Sequence, residues 1–225
     1  IQDAANLGWK LALAVRGAPD ILLSSYEDER RLVARKVLRL TGIAHAFEIS
    51  DALPFRIGRR WAAPPVAGLV LARPRLVSLV ARAVSGLDIA YRRGAVDDVA
   101  VLRRGFRPGS RLPDLPLRDG APTHLHGLID GAGFYLLEFD GQIDDDSRED
   151  ISQDYEGVVT IKQIARSSLP PGTRTPSYVL VRPDGYIATA GDDPDAERAL
   201  RYLARWVAPT TSREMLETGR TPDLP

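Results

Sequence analysis

The sequence predicts an α/β protein, with a helix-rich first half followed by a smaller domain in which strands and helices are mixed. Three observations point there. Residues 1–85 repeat apolar side chains at helical spacing, with Gly and Pro at the breaks. Between residues 134 and 188 the apolar runs shorten to strand length and are separated by turn residues. The charge also changes sign: residues 1–110 hold 18 Lys and Arg against 10 Asp and Glu, or +8, whereas residues 111–225 hold 12 against 20, or −8.

At 225 residues, 44% hydrophobic and 27% charged, the chain can bury one large core or two modest ones, and it is not a disordered or fibrous sequence. No apolar run reaches the roughly 18 residues of a membrane span, and no signal peptide opens the chain. The absence of Cys excludes disulfides, thiolate metal sites, cysteine nucleophiles and dithiol redox chemistry. The arginines are spread along helices and loops without basic–aromatic interleaving, which argues against nucleic acid as a partner.

The first helix is expected from Ile1 through Val15 and ends at Gly17 and Pro19. It is apolar on most faces, so it needs partners on several sides. With no initiator Met before Ile1, some partners are expected upstream, and the chain reads as a fragment. A second helix is expected from Ser24 to Leu40, with Ser24–Glu27 or Ser25–Asp28 as a capping box and Gly42 as its stop. Glu27, Glu29, Arg30 and Arg31 read as its solvated face.

Two strings here carry a resemblance. Ile1-Gln2-Asp3-Ala4-Ala5-Asn6-Leu7-Gly8-Trp9-Lys10-Leu11-Ala12, followed after a Gly/Pro break by Leu22-Leu23-Ser24-Ser25-Tyr26-Glu27-Asp28-Glu29-Arg30-Arg31, resembles the late FAD-binding domain of the FAD-dependent aromatic hydroxylases. These are single-component flavoprotein monooxygenases, some of which oxygenate aromatic polyketides. The resemblance implies that Ile1, Gln2 and Asp3 border the flavin, where helix-end amides meet an electron-rich ring. The family's Gly-rich loop, which would precede them, is absent. Ser85-Gly86-Leu87-Asp88-Ile89-Ala90-Tyr91 is a second match, and Leu87, Ile89 and Tyr91 alternate like a half-buried strand.

Ser50–Arg60 reads as a connector, and the apolar stretch Val66–Val84, broken at Pro74, contains a further helix. Trp61, Leu69 and Leu76 read as packing residues, not ligand contacts. The Pro- and Gly-dense run 105–117 marks a boundary at the charge switch, giving domains 1–104 and 105–225. Arg111-Leu112-Pro113-Asp114-Leu115-Pro116-Leu117 resembles the opening of the thioredoxin-like C-terminal domain of the same hydroxylases. Strands are expected at Phe134–Phe139 and Gly157–Ile161. A hairpin is expected from Tyr178–Val181 through Pro183-Asp184-Gly185 to Tyr186–Ala188, and a last helix from Pro194 through Val207. The tail from Ala208 reads as irregular. A thioredoxin would carry its dithiol near Asp140–Ile143, so this domain cannot exchange disulfides. Thr175-Pro176-Ser177 stands where that fold has a proline turn.

Other candidate sites fail on their chemistry. His124 and His126 lack the further ligands a metal needs, with His45 the only other His. Asp144–Asp146, Glu149 and Asp150 read as a loop or a helix first turn. Ser167 and Ser168 have no activating His, and no phosphate-cradling or dinucleotide motif occurs. The expectation is thus α/β: a helical remnant of an FAD-binding domain followed by a thioredoxin-like α/β domain, with no catalytic residue and no metal. The parent enzyme is implied to be a cytoplasmic bacterial hydroxylase using FAD and NAD(P)H on an aromatic substrate, with the fragment alone inactive and retaining neither cofactor. Its implied partners are that substrate, the missing N-terminal FAD-binding segment and a homodimer mate, without membrane or nucleic acid. The alternative is a non-catalytic thioredoxin-like dimerisation or interaction module.

Overall fold

In the computed structural model, the structure describes residues 1–86, 89–91, 94–96, 105–118, 123–207 and 209. Two compact units emerge from chain contacts. One comprises Ile1–Glu29 with Ala90–Pro225, the other Arg30–Ile89.

The first unit is built on a four-stranded mixed sheet of Phe134–Phe139 (β1), Val159–Ile164 (β2), Tyr178–Val181 (β3) and Ile187–Gly191 (β4), in the order β2-β1-β3-β4. β1 pairs in parallel with β2 and antiparallel with β3, and β3 pairs antiparallel with β4. The parallel pair requires a crossover, which the helix Asp145–Asp154 (α6) supplies. Alternation along β1 sends Phe134 and Leu136 to one core and Tyr135, Leu137 and Phe139 to another. Both faces are therefore covered, which is why β1 reads as an unbroken apolar run. Helices Gln2–Val15 (α1), α6 and Glu197–Trp206 (α7) contribute Trp9, Leu13, Ile151, Tyr202 and Leu203 to the first core. The segment carrying Phe106, Leu112 and Leu125 covers the second. Gly109 in that segment has φ +77°, and a Cβ there would fall 1.9 Å from the Tyr91 carbonyl oxygen, so only glycine fits.

Several boundaries differ from expectation. The last helix starts at Glu197 rather than Pro194, because the Pro194 carbonyl accepts the Asp144 N–H at 2.9 Å and Ala196 turns left-handed at φ +47°. β2 begins at Val159, after Gly157 has turned the chain at φ +68°. Asp144 caps α6 by accepting the Ser147 N–H at 2.7 Å, so the acidic run is a helix first turn. Ile89–Tyr91 lie outside any strand; Leu87 and Asp88, like most of the tail from Ala208, fall outside the described residues.

The second unit is helical. The helix Ile21–Ile49 (α2) reaches it from Arg30 onward, followed by Leu53–Ile57 (α3), a π-helical turn Gly58–Ala62, Ala63–Leu71 (α4) and Pro74–Ser85 (α5). α2 is longer than expected at both ends. Ser24 and Ser25 do not cap it; their hydroxyls donate back to the carbonyls of Asp20 and Leu22, so both already lie inside the helix. Gly42 costs only about 1 kcal/mol relative to Ala within a helix, too little to end 29 residues of it. The expected connector is largely helical, since Pro54 sits in a first turn where its missing N–H costs nothing, as do Pro64 and Pro74. Arg59 closes the α2 end by donating to the carbonyls of Phe47 (2.5 Å) and Ser50 (2.8 Å). No single described helix is long and apolar enough to cross a membrane.

Candidate functional site

Ile1, Gln2 and Asp3 form the leading turn of α1, with Ile1 at the N-cap and exposed, Gln2 half-buried and Asp3 exposed. No side-chain hydrogen bond caps this turn, and the positive end of the helix dipole lies at it. That is a place for an electron-rich or anionic group, set by backbone rather than by side chains.

Below that turn, α1 presents Asn6, Trp9, Lys10 and Leu13 as its buried residues. The i, i+3, i+4, i+7 spacing puts all four on one stripe, and two of them are polar. They meet a buried ion network. Arg182, at the end of β3 and fully buried, donates to Glu29 through both terminal nitrogens, at 2.8 Å to Oε1 and 2.9 Å to Oε2. It also donates to Asp184 at 2.6 Å and to the Ala95 carbonyl at 2.9 Å. Glu29 Oε2 accepts from Asn6 at 2.6 Å and lies 3.1 Å from Lys10 Nζ, while Oε1 accepts the Ala95 N–H at 2.8 Å. Asn6 reaches Asp184 as well, at 3.1 Å. The Arg182 guanidinium sits 5.0, 5.3 and 5.9 Å from the ring centroids of Trp9, Tyr91 and Tyr186.

The four charges sum to zero, which is what makes their burial tolerable. Burial favours a neutral Glu29, but Arg182, Lys10 and the donated hydrogen bonds together hold its carboxyl below the usual range. Burial also disfavours charge on Arg182, and the carboxylates of Asp184 and Glu29 outweigh it, keeping the guanidinium protonated. Lys10 goes the other way: burial pulls it down to about 8, since Glu29 compensates only in part and Arg182 repels it. Asn6 Oδ1, Trp9 Nε1 and Tyr186 Oη are buried with no hydrogen-bond partner among the described residues.

This network was not legible as a site. Glu29 read as part of a solvated face, whereas it is 2% exposed, and Arg30 beside it is buried too. A usable signal existed in α1, where Asn6 and Lys10 interrupt an apolar helix four residues apart. A cleft of about 530 Å³ runs along α1, between Ala5, Trp9, Ala12 and Leu13 and the Gly133–Phe134 and Gly157–Val158 segments.

The remaining candidates are structural. His126 is fixed by the Leu112 carbonyl and Asp114, while His124 contacts Thr123. No group of His, Cys, Asp or Glu that could hold a metal occurs among the described residues. Ser167 and Ser168 lie in a short 3₁₀ turn, with Ser168 donating to Ala165. Thr175 and the Pro176 carbonyl both accept from Arg166, which ties that turn to Asp140. Trp61 and Leu69, expected as packing residues, are instead exposed, and Leu76 is half-buried.

Residues 106–210 match the family described as aromatic-ring hydroxylase, C-terminal, and residues 1–41 match an FAD-binding domain. A flavin-dependent monooxygenase of Mycobacteroides abscessus is 35% identical over 209 residues, covering 92% of this chain and 35% of the relative. A 12-dehydrotetracycline 5-monooxygenase/anhydrotetracycline 6-monooxygenase of Streptomyces rimosus is 33% identical, covering 92% and 39%. Among solved structures, the OxyS anhydrotetracycline hydroxylase from Streptomyces rimosus superposes with a TM-score of 0.65 at 29% identity, covering 92% of this chain and 40% of that one. CabE, an aromatic hydroxylase from angucycline biosynthesis, gives 0.66 at 30% identity, covering 92% and 40%. The chain thus spans well under half the length of these relatives.

Proposed function

We propose, from the premise that the chain belongs to the FAD-dependent aromatic-ring hydroxylases, that it is the C-terminal part of an FAD- and NAD(P)H-dependent monooxygenase. The observation that carries this reading is that residues 1–41 match an FAD-binding domain and residues 106–210 the C-terminal domain of aromatic-ring hydroxylases in one chain. FAD, when bound, would supply the electron transfer from NAD(P)H and the oxygen chemistry that no side chain of a cysteine-free chain provides. The residues present fit that group modestly: Ile1, Gln2 and Asp3 would offer helix-end amides to it, and nothing in the chain offers a phosphate loop. The substrate is proposed to be an aromatic molecule of the polyketide class, as the tetracycline and angucycline names of the relatives suggest.

By origin, residues 1–104 would close the FAD-binding and hydroxylase region, and residues 105–225 would form the thioredoxin-like domain, used for packing or subunit contact. By packing the division falls elsewhere, because α1 and the start of α2 sit with the sheet. The missing partner is then the remainder of a longer polypeptide in the same cytoplasmic enzyme, and the 225 residues alone would neither retain flavin nor turn over. The test is to express the full reading frame and the 225-residue chain side by side. The long product should carry flavin absorbance through gel filtration and oxidise NAD(P)H when an aromatic polyketide is added, and the short one should do neither. Flavin retention and turnover by the short chain, or a flavin-free long product, would overturn the reading.

A further inference from the structure

We propose that Arg182 is a positioning residue for the flavin-facing turn of α1, acting through Glu29 and Asn6 across the buried network; this rests on the function proposed above. Three of the four buried residues of α1, namely Asn6, Trp9 and Lys10, face this one guanidinium or the carboxylate it holds. The helix is therefore seated on the sheet unit through polar contacts of fixed geometry as well as through Trp9 and Leu13 in the core. Apolar contacts tolerate sliding, whereas a bidentate guanidinium–carboxylate pair fixes distance and plane at once. Asn6 lies one turn from Ile1, and the Ile1 carbonyl already accepts the Ala5 N–H at 2.9 Å. A shift of Asn6 would accordingly carry the leading turn with it.

Arg182 lies where a tight hairpin holds it. Its own N–H donates to the Tyr186 carbonyl at 2.8 Å, and its carbonyl accepts the Gly185 N–H at 2.9 Å, with Gly185 at φ +79°. Asp184 in the same turn braces the guanidinium, and Tyr91 and Tyr186, 4.4 Å apart between centroids, wall it in. A residue of the C-terminal half, more than 170 positions from the flavin edge in sequence, thereby sets the height of that edge. Lysine in its place would keep the charge and lose both the fork and the stacking.

The experiment uses the full-length, flavin-loaded enzyme with Arg182→Lys, measuring flavin dissociation, the flavin midpoint potential and hydrogen exchange of the α1 amides at a temperature where circular dichroism reports a folded protein. We expect flavin to bind at least tenfold more weakly, the potential to move, and the α1 amides to exchange at least tenfold faster while those of β1 stay protected. Should Arg182→Lys not accumulate, Asn6→Ala carries the same test, since it removes one donor to Glu29 and leaves the ion pair. If α1 exchange, potential and flavin affinity all stay at wild-type values, or if α1 loosens while affinity and potential hold, Arg182 is merely structural and the inference is wrong. If the wild-type protein itself binds no flavin, the functional reading falls first and takes the inference with it.

Discussion

Lys10 is the weak member of its buried network. It is completely shielded from solvent, paired to Glu29 at 3.1 Å, and yet held at about 8 because burial outweighs that pairing. A lowered ammonium means that the unfolded chain, with its lysine near 10.5, binds more protons than the folded one between pH 8 and 10.5. Stability contributed at this residue therefore rises with pH through that window, and below pH 8 the full cost of burying the charge is present. A shift of this size corresponds to roughly 3 kcal/mol over the window, at 1.36 kcal/mol per unit. Comparing urea unfolding of wild type and Lys10→Met from pH 7 to 10.5 cancels the other titrating groups. The difference, wild type minus variant, should become more favourable to wild type by up to about 3 kcal/mol as pH rises. A difference that stays flat across the window would show that Lys10 is not desolvated.

β1 and α6 are joined by a carboxylate rather than by apolar contact alone. Glu138, on β1 and fully buried, accepts the Ile143 N–H at 2.8 Å and pairs with Arg148 of α6 at 3.1 Å, and Arg148 also donates to the Ile143 carbonyl at 2.7 Å. Gln163 of β2 donates to the same carboxylate at 3.3 Å, so one side chain sets the loop, the crossover helix and the neighbouring strand. Glu138→Ala strips partners from a half-buried guanidinium and an amide together, and a loss of about 3 kcal/mol in denaturant unfolding is expected, with Glu138→Gln losing about half of that. A cost under about 0.5 kcal/mol for the alanine variant would mean that the pairing is solvated. The same element shows what sequence can and cannot convey. Phe134–Phe139 was legible to the residue, because a doubly covered strand is apolar on both faces and Glu138 interrupts it only once. The hairpin was legible from Pro183-Asp184-Gly185. The ends of α2 were not, since Ser24 and Ser25 bond back to local carbonyls rather than cap and Gly42 does not stop the helix, and the start of α7 was not, since it depends on the distant Asp144 amide claiming the Pro194 carbonyl. Of the candidate site, the resemblance pointed to the leading turn, which remains a proposal, and the ion network was not legible, because its members lie at positions 6, 10, 29, 182 and 184 and only folding joins them.

At the scale of the whole chain, the helical unit exposes much apolar surface. Leu38 and Trp61 are each 71% exposed, Leu71 is 74% and Val84 is 78%, and Ile43, Leu53 and Leu79 are open as well. Single exposed apolar side chains are ordinary, but so many within Arg30–Ile89 mark a surface made for contact. The chain spans 35% of the Mycobacteroides relative and 39% of the Streptomyces one, so the proposed occupant is the remainder of a longer polypeptide of the same kind. That assignment separates two contexts for one substitution. In the 225-residue chain, Leu38→Ser replaces an exposed side chain, so it should leave unfolding stability within about 0.5 kcal/mol and raise solubility. In the full-length enzyme the same position would be covered, and Leu38→Ser should cost about 2 kcal/mol, the worth of burying one leucine. A fluorescent apolar dye should follow the same division, bright on the short chain and dim on the long one. Equal neutrality of Leu38→Ser in both proteins, with equal dye binding, would leave this helical surface uncovered and remove the argument that the chain is built to lie against more of its own kind.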